Sequence, residues 1–135
     1  MKPFFIFAFL CLIATVYAGT PANIIGTFQT EVPTANKADT RVIEVKVEKS
    51  EGKLSLSGSA AFSSGRSAAP DFTGELLDHK GSTYRFSFED SFENKGVATV
   101  TVNEAGVVFS AKITEVKDPR CLAHYGEVQL KREKK

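Results

Sequence analysis

The stretch RVIEVKVEK, residues 41 to 49, puts Ile43, Val45 and Val47 on one face and Glu44, Lys46 and Glu48 on the other. Side chains alternate across a strand, whereas a helix repeats every ~3.6 residues, so this period commits the segment to a half-buried β-strand. The pattern returns twice. Tyr84, Phe86 and Phe88 alternate with Arg85, Ser87 and Glu89, and Val107, Phe109, Ala111 and Ile113 alternate with Ser110, Lys112 and Thr114. Turn signals fall between such segments at short, even intervals: Glu51-Gly52, Lys80-Gly81, Asn94-Lys95-Gly96 and Glu104-Ala105-Gly106. Strands are predicted near 26–32, 41–49, 53–60, 71–78, 82–89, 96–103, 106–114 and 124–132. Consecutive strands joined by tight turns make an antiparallel meander. The expected fold is all-β, a small meander closing into a roughly eight-stranded, calycin-like barrel, because closure removes the exposed edges. A two-sheet sandwich is the alternative.

Residues 1–18, MKPFFIFAFLCLIATVYA, read differently. Lys2 supplies a positive start, Phe4 to Tyr17 an apolar run, and Val16-Tyr17-Ala18 a small-x-small cleavage pattern, as in a secretory signal peptide. The run is shorter than the ~20 apolar residues a membrane helix needs. Residues 19–135 are then expected to form one β-barrel domain. Removing Lys2 from the 17 basic residues leaves 16, against 16 acidic ones. Nucleic-acid binding needs a basic excess on one face, and only Lys131 to Lys135 are dense in cations. The expected localisation is periplasmic or secreted, with no nucleic-acid partner and no stable membrane insertion. Loss of Cys11 with the leader leaves Cys121 as the lone cysteine, so no intramolecular disulfide can form, and no Asn-x-Ser/Thr acceptor occurs. Both features lean toward a bacterial envelope protein.

Catalytic and metal patterns are sparse. Cys121 and His124 stand three apart, which on an extended segment turns them to opposite faces. A structural zinc site wants four ligands, and the only other histidine, His79, adjoins a turn and is expected to be exposed. Around Cys121 the reading is a turn at Asp118-Pro119, packing of Cys121 and Leu122, and a last strand opened by Tyr125. In FEDSFENKG, residues 88 to 96, Glu89 and Asp90 are neighbours on a strand and face apart, so the segment reads as a solvated hairpin end. There is no Gly-x-Ser-x-Gly elbow and no Walker-type phosphate loop. No catalytic, metal or cofactor-binding residue is assigned, and a non-enzymatic function is expected. Two loops interrupt the strand rhythm, Pro33 to Thr40 and Ala61 to Pro70. Loops of this kind carry recognition residues, and the partner-binding candidates are Ser64, Arg66 and Phe92.

The layout FTGEL, YRFSFEDSFENKG, a Val/Phe strand and AHYGEVQLKR resembles small exported bacterial β-barrel proteins of uncharacterised function. The strand pattern is also similar in architecture to the periplasmic lysozyme inhibitors, eight-stranded barrels that carry a Ser-Gly-x-x-Tyr motif on a loop entering the lysozyme cleft. Here Ser64-Gly65 is followed by Ala68 at the tyrosine position, and the inhibitors' disulfide has no counterpart. The resemblance implies a binding module of the envelope that inhibits a lysozyme-like hydrolase. The alternative is a lipocalin-like carrier of a small apolar ligand. An eight-stranded barrel has room for either side chains or one small ligand, and Phe28, Phe62, Phe72, Phe86, Phe88 and Phe109 are expected to fill this one.

Overall fold

The computed structural model describes residues 24–33, 39–65 and 67–133. The predicted leader and the greater part of the first loop lie outside them. Eight strands follow in order: β1 (Gly26–Pro33), β2 (Thr40–Ser50), β3 (Lys53–Phe62), β4 (Asp71–Lys80), β5 (Thr83–Asp90), β6 (Lys95–Asn103), β7 (Gly106–Glu115) and β8 (Val128–Arg132). Each pairs antiparallel with the next, and β1 pairs with β8, so the meander closes into a barrel. The expected fold class holds, and closure decides against the sandwich. Among the described residues no helix is long and apolar enough to cross a membrane.

The alternation sets which face is buried. Ile43, Val45 and Val47 point inward with Leu56, Phe72, Phe86, Phe88, Phe109 and Leu130, all essentially inaccessible. Phe72 lies at the centre, 5.1 Å from Phe88, 5.5 Å from Phe109 and 6.3 Å from Tyr125 between ring centroids. Its ring covers Gly58, where a Cβ would sit 2.6 Å from Cε1 of that ring. A residue without a side chain is what lets β3 and β4 approach under an aromatic. Phe62 departs from expectation: it is half-buried and lies against His124 with ring centroids 5.0 Å apart and the planes tilted by 46°.

The strands near the ends differ from the sequence reading in two places. The eighth strand starts at Val128 rather than 124, because Pro119–His124 forms a 3-10 helix, η1. Asp118 caps it by accepting from the Arg120 amide at 3.0 Å, and Pro119 at the first position needs no amide partner. Cys121 is buried as expected, but Leu122 is exposed. The second difference is the β5–β6 turn, where Glu93 takes the positive φ of 70° and Lys95 already belongs to β6.

The barrel therefore has two unlike ends. At one, the β3–β4 loop, the β5–β6 turn and η1 gather. At the other lie the β2–β3, β4–β5 and β6–β7 turns, with Arg132 of β8 over the Phe28 ring at 4.7 Å.

Candidate functional site

The end that carries η1 is closed by a buried polar cluster. Asp90 is the last residue of β5 and faces inward while its neighbour Glu89 is exposed, as the alternation requires. Its carboxylate accepts four hydrogen bonds: from the amides of Phe92 (2.8 Å) and Asn94 (2.9 Å), from Asn94 Nδ2 (2.8 Å) and from the Tyr125 hydroxyl (2.6 Å). Burial alone would raise its pKa, but these donors outweigh it and hold the carboxyl below the usual range. Asn94 then reaches across to η1, where its Oδ1 accepts from the Lys117 and Asp118 amides at 2.7 and 2.9 Å. The hairpin end expected to be solvated is thus the anchor for the last loop. Tyr125 is pushed up by burial and by Asp90, and the Cys121 thiol is pushed up to about 11, first by burial and then by the Asp90 charge. A buried thiol of that kind is a packing group rather than a nucleophile.

His124 is buried on the same side of the barrel. Its Nε2 donates to the Ala68 carbonyl at 3.1 Å, which leaves Nδ1 as a buried acceptor without a partner. Arg41 donates from Nη1 to the Ala123 carbonyl beside it. Burial is the main cause that lowers the His124 pKa, and Arg41 adds to it against the effect of the Ala68 carbonyl. An unfolded histidine titrates near pH ~6.5, so between there and the lower folded value the unfolded chain binds more protons. The neutral ring therefore stabilises the fold above pH ~6.5, and that contribution is lost as pH falls through the folded value. The melting temperature is expected to drop by several degrees from about pH 7.5 to about pH 5, and His124→Gln should flatten that slope. An unaltered slope in the variant would assign the loss to other groups.

Of the three partner-binding candidates, Ser64 and Phe92 are among the described residues, and both make contacts within the fold. Ser64 Oγ donates to Asp39 Oδ2 at 2.7 Å, and the Ser64 amide donates to Oδ1 of the same carboxylate, tying the β3–β4 loop to the start of β2. Arg66 lies outside the described residues. Phe92 is half-buried against the core, with the Arg120 guanidinium 5.8 Å above its ring. Among the described residues no three His, Cys, Asp or Glu side chains gather as a metal site requires.

The other end, where Ile24 is fully buried ahead of β1, carries a recess. The ladder between β3 and β4 stops at Ser55↔Glu75, although both strands run on toward their turns. Leu54 and Leu76, which would face each other next, are not paired. Between them lies a recess of about 380 Å³ lined by Lys49, Gly52, Lys53, Leu54, Glu75, Leu76, His79 and Tyr84. The sequence reading missed this site, and its cause is a bulge. Leu76 pairs with Phe86 but Asp78 pairs with Arg85, so Leu77 is an extra residue with no partner. One inserted residue reverses the alternation after it. Asp78 consequently points outward, bonded to Arg85 at 3.0 and 2.7 Å, and His79 comes onto the inner face, stacked on Tyr84 at 4.6 Å with an interplanar angle of 8°. Two signals were present: the adjacent Leu76-Leu77 pair that breaks the period, and Lys49, which continues the apolar face of Ile43, Val45 and Val47.

No protein-family model, curated protein or solved structure matches the chain. The geometry of the two ends is what bears on function.

Proposed function

We propose that this chain is a non-enzymatic, exported binding module, and that its binding site is the mouth formed by the recess between β3 and β4. The observation that carries this reading is the recess itself. Its floor is apolar, from Leu54, Leu76 and the buried Tyr84, and its volume of about 380 Å³ lies at the lower end of the range for small-molecule sites. The deeper barrel is filled by Phe72, Phe86, Phe88 and Phe109, so a ligand would seat at the rim rather than in the interior. This is the carrier form of the expected function, limited to a small apolar group.

A second form, inhibition of a lysozyme-like hydrolase, draws support from the opposite end. The β3–β4 loop is held by Asp39 through Ser63 and Ser64 and turns sharply at Gly65 and Ser67, with φ of 83° and 62°. Residues held in this way, Ser63 and Ser64, lose little freedom on docking.

One experiment separates the two. Amide chemical shifts are followed by NMR while short-chain alcohols, and then a muramidase, are added. Carriage at the mouth predicts shifts at Leu54, Leu76, His79 and Tyr84 with the alcohols. Inhibition predicts shifts or broadening at residues 63–68 and Phe92 with the enzyme, together with lost muramidase activity. Alcohol-induced shifts confined to the η1 end, or none at all, would remove the mouth from consideration.

A further inference from the structure

The rim of the recess is not neutral. Lys49 and Lys53 flank it from the two strands of the β2–β3 hairpin, and His79 stands opposite on β4. Glu75 is the one carboxylate among the lining residues. The cations and the apolar floor share a single recess, whereas the nearby Asp78–Arg85 pair is turned outward and satisfied internally. Lys49 is the telling residue. It occupies an inward-facing position in β2, following Ile43, Val45 and Val47, so its ammonium overhangs the barrel mouth and not the outer wall.

From this placement we infer that the mouth selects a small amphipathic anion, a carboxylate whose apolar body lies on Leu54, Leu76 and the His79–Tyr84 stack while its charge sits at Lys49, with Lys53 adding positive charge from the adjoining outer face. The inference rests on the binding reading above and adds the headgroup to it. An apolar body fits the floor because removing it from water stabilises the complex in proportion to area. The headgroup fits the rim because exposed lysines attract an anion without the large desolvation penalty of a buried pair. The His79 ring has one face against Tyr84, which leaves its other face for an alkyl chain or a flat ring to cover. Glu75 at the rim disfavours a doubly charged anion, and this points to a monocarboxylate.

Calorimetric titration of the full protein with octanoate, octanol and octylamine tests the assignment, since the three share a chain and differ in charge. Octanoate is expected to bind about tenfold more tightly than octanol, with the advantage shrinking in ~0.5 M salt. The double variant Lys49→Glu/Lys53→Glu should bind octylamine best. Both lysines are exposed, and an unchanged melting temperature will show that the variant folds. Equal affinity for octanoate and octanol would overturn the anion assignment while leaving the mouth as an apolar site. Preference for octylamine in the wild type would overturn it as well. Failure of all three to bind would overturn both this inference and the reading it rests on.

Discussion

Asp90→Ala is expected to cost about 3–4 kcal/mol of stability and to lower the melting temperature by about 12–16 °C. The carboxylate is 5 % exposed and accepts from two backbone amides, one side-chain amide and one phenol. Alanine leaves four donors without this acceptor, three of them in buried bonds, and an orphaned buried donor typically costs ~1–3 kcal/mol, reduced where the site relaxes or admits water. Asp90→Asn is expected to cost less, about half as much, because its Oδ1 still accepts from the Phe92 and Asn94 amides. The acid dependence has a definite sign. The folded carboxyl titrates below its unfolded value of ~3.9, so its contribution is complete above that pH and is lost as pH falls through the folded value. The variant should therefore lose stability less steeply in that acid range than the wild type. A second readout comes from Cys121. Buried and pushed up to about 11, the thiol should resist alkylating reagents while the cluster is intact, and it should react readily once Asp90 no longer ties Asn94 and Tyr125 to the barrel. A normal melting temperature with a protected thiol in Asp90→Ala would show that something other than this cluster holds η1 in place.

Phe72→Ala should be comparably damaging, by about 3–5 kcal/mol, through loss of apolar burial and the cavity left behind. The ring is 2 % exposed and is surrounded by Phe88, Phe109 and Tyr125, with Gly58 beneath it. Collapse into the gap is restricted because those neighbours sit on three different strands and on the segment after η1, each fixed by its own pairing. The cavity would be apolar and dry, and such cavities take up benzene. Addition of benzene should thus recover part of the lost melting temperature in the variant and leave the wild type unaffected. A loss below about 1 kcal/mol would mean that the interior is loosely filled, and the barrel rather than its mouth would then be the place to look for a ligand.

The strands were legible for a local reason. Alternation in RVIEVKVEK or YRFSFED needs only the geometry of an extended chain and the preference of apolar side chains for one side. The turns were legible because Gly52 and Gly81 adopt positive φ at little cost. In a meander, neighbours along the chain are neighbours in the sheet, so the order of the barrel follows without long-range information. Ends were harder to read. Strand boundaries at β8 failed because nothing near Tyr125 shows that its hydroxyl bonds Asp90, 35 residues earlier.

The candidate site was hidden for two related reasons. The bulge at Leu77 depends on how β4 meets β5, and a break of period in one strand does not say which residue will lack a partner. The recess also depends on the β3–β4 ladder ending at Ser55↔Glu75, which the composition of neither strand shows.

Residue order alone was enough to establish extended segments, their buried faces and their succession around the barrel, because those follow from steric and solvation preferences acting over a few residues. Folding in three dimensions settled the rest: the inward turn of Asp90, Asn94 and His124, the 3-10 helix that closes one end, and the cationic mouth at the other. Each of these rests on partners distant in the chain, as when His124 meets the Ala68 carbonyl 56 residues away. A polar side chain is buried only where the assembled structure supplies its hydrogen bonds.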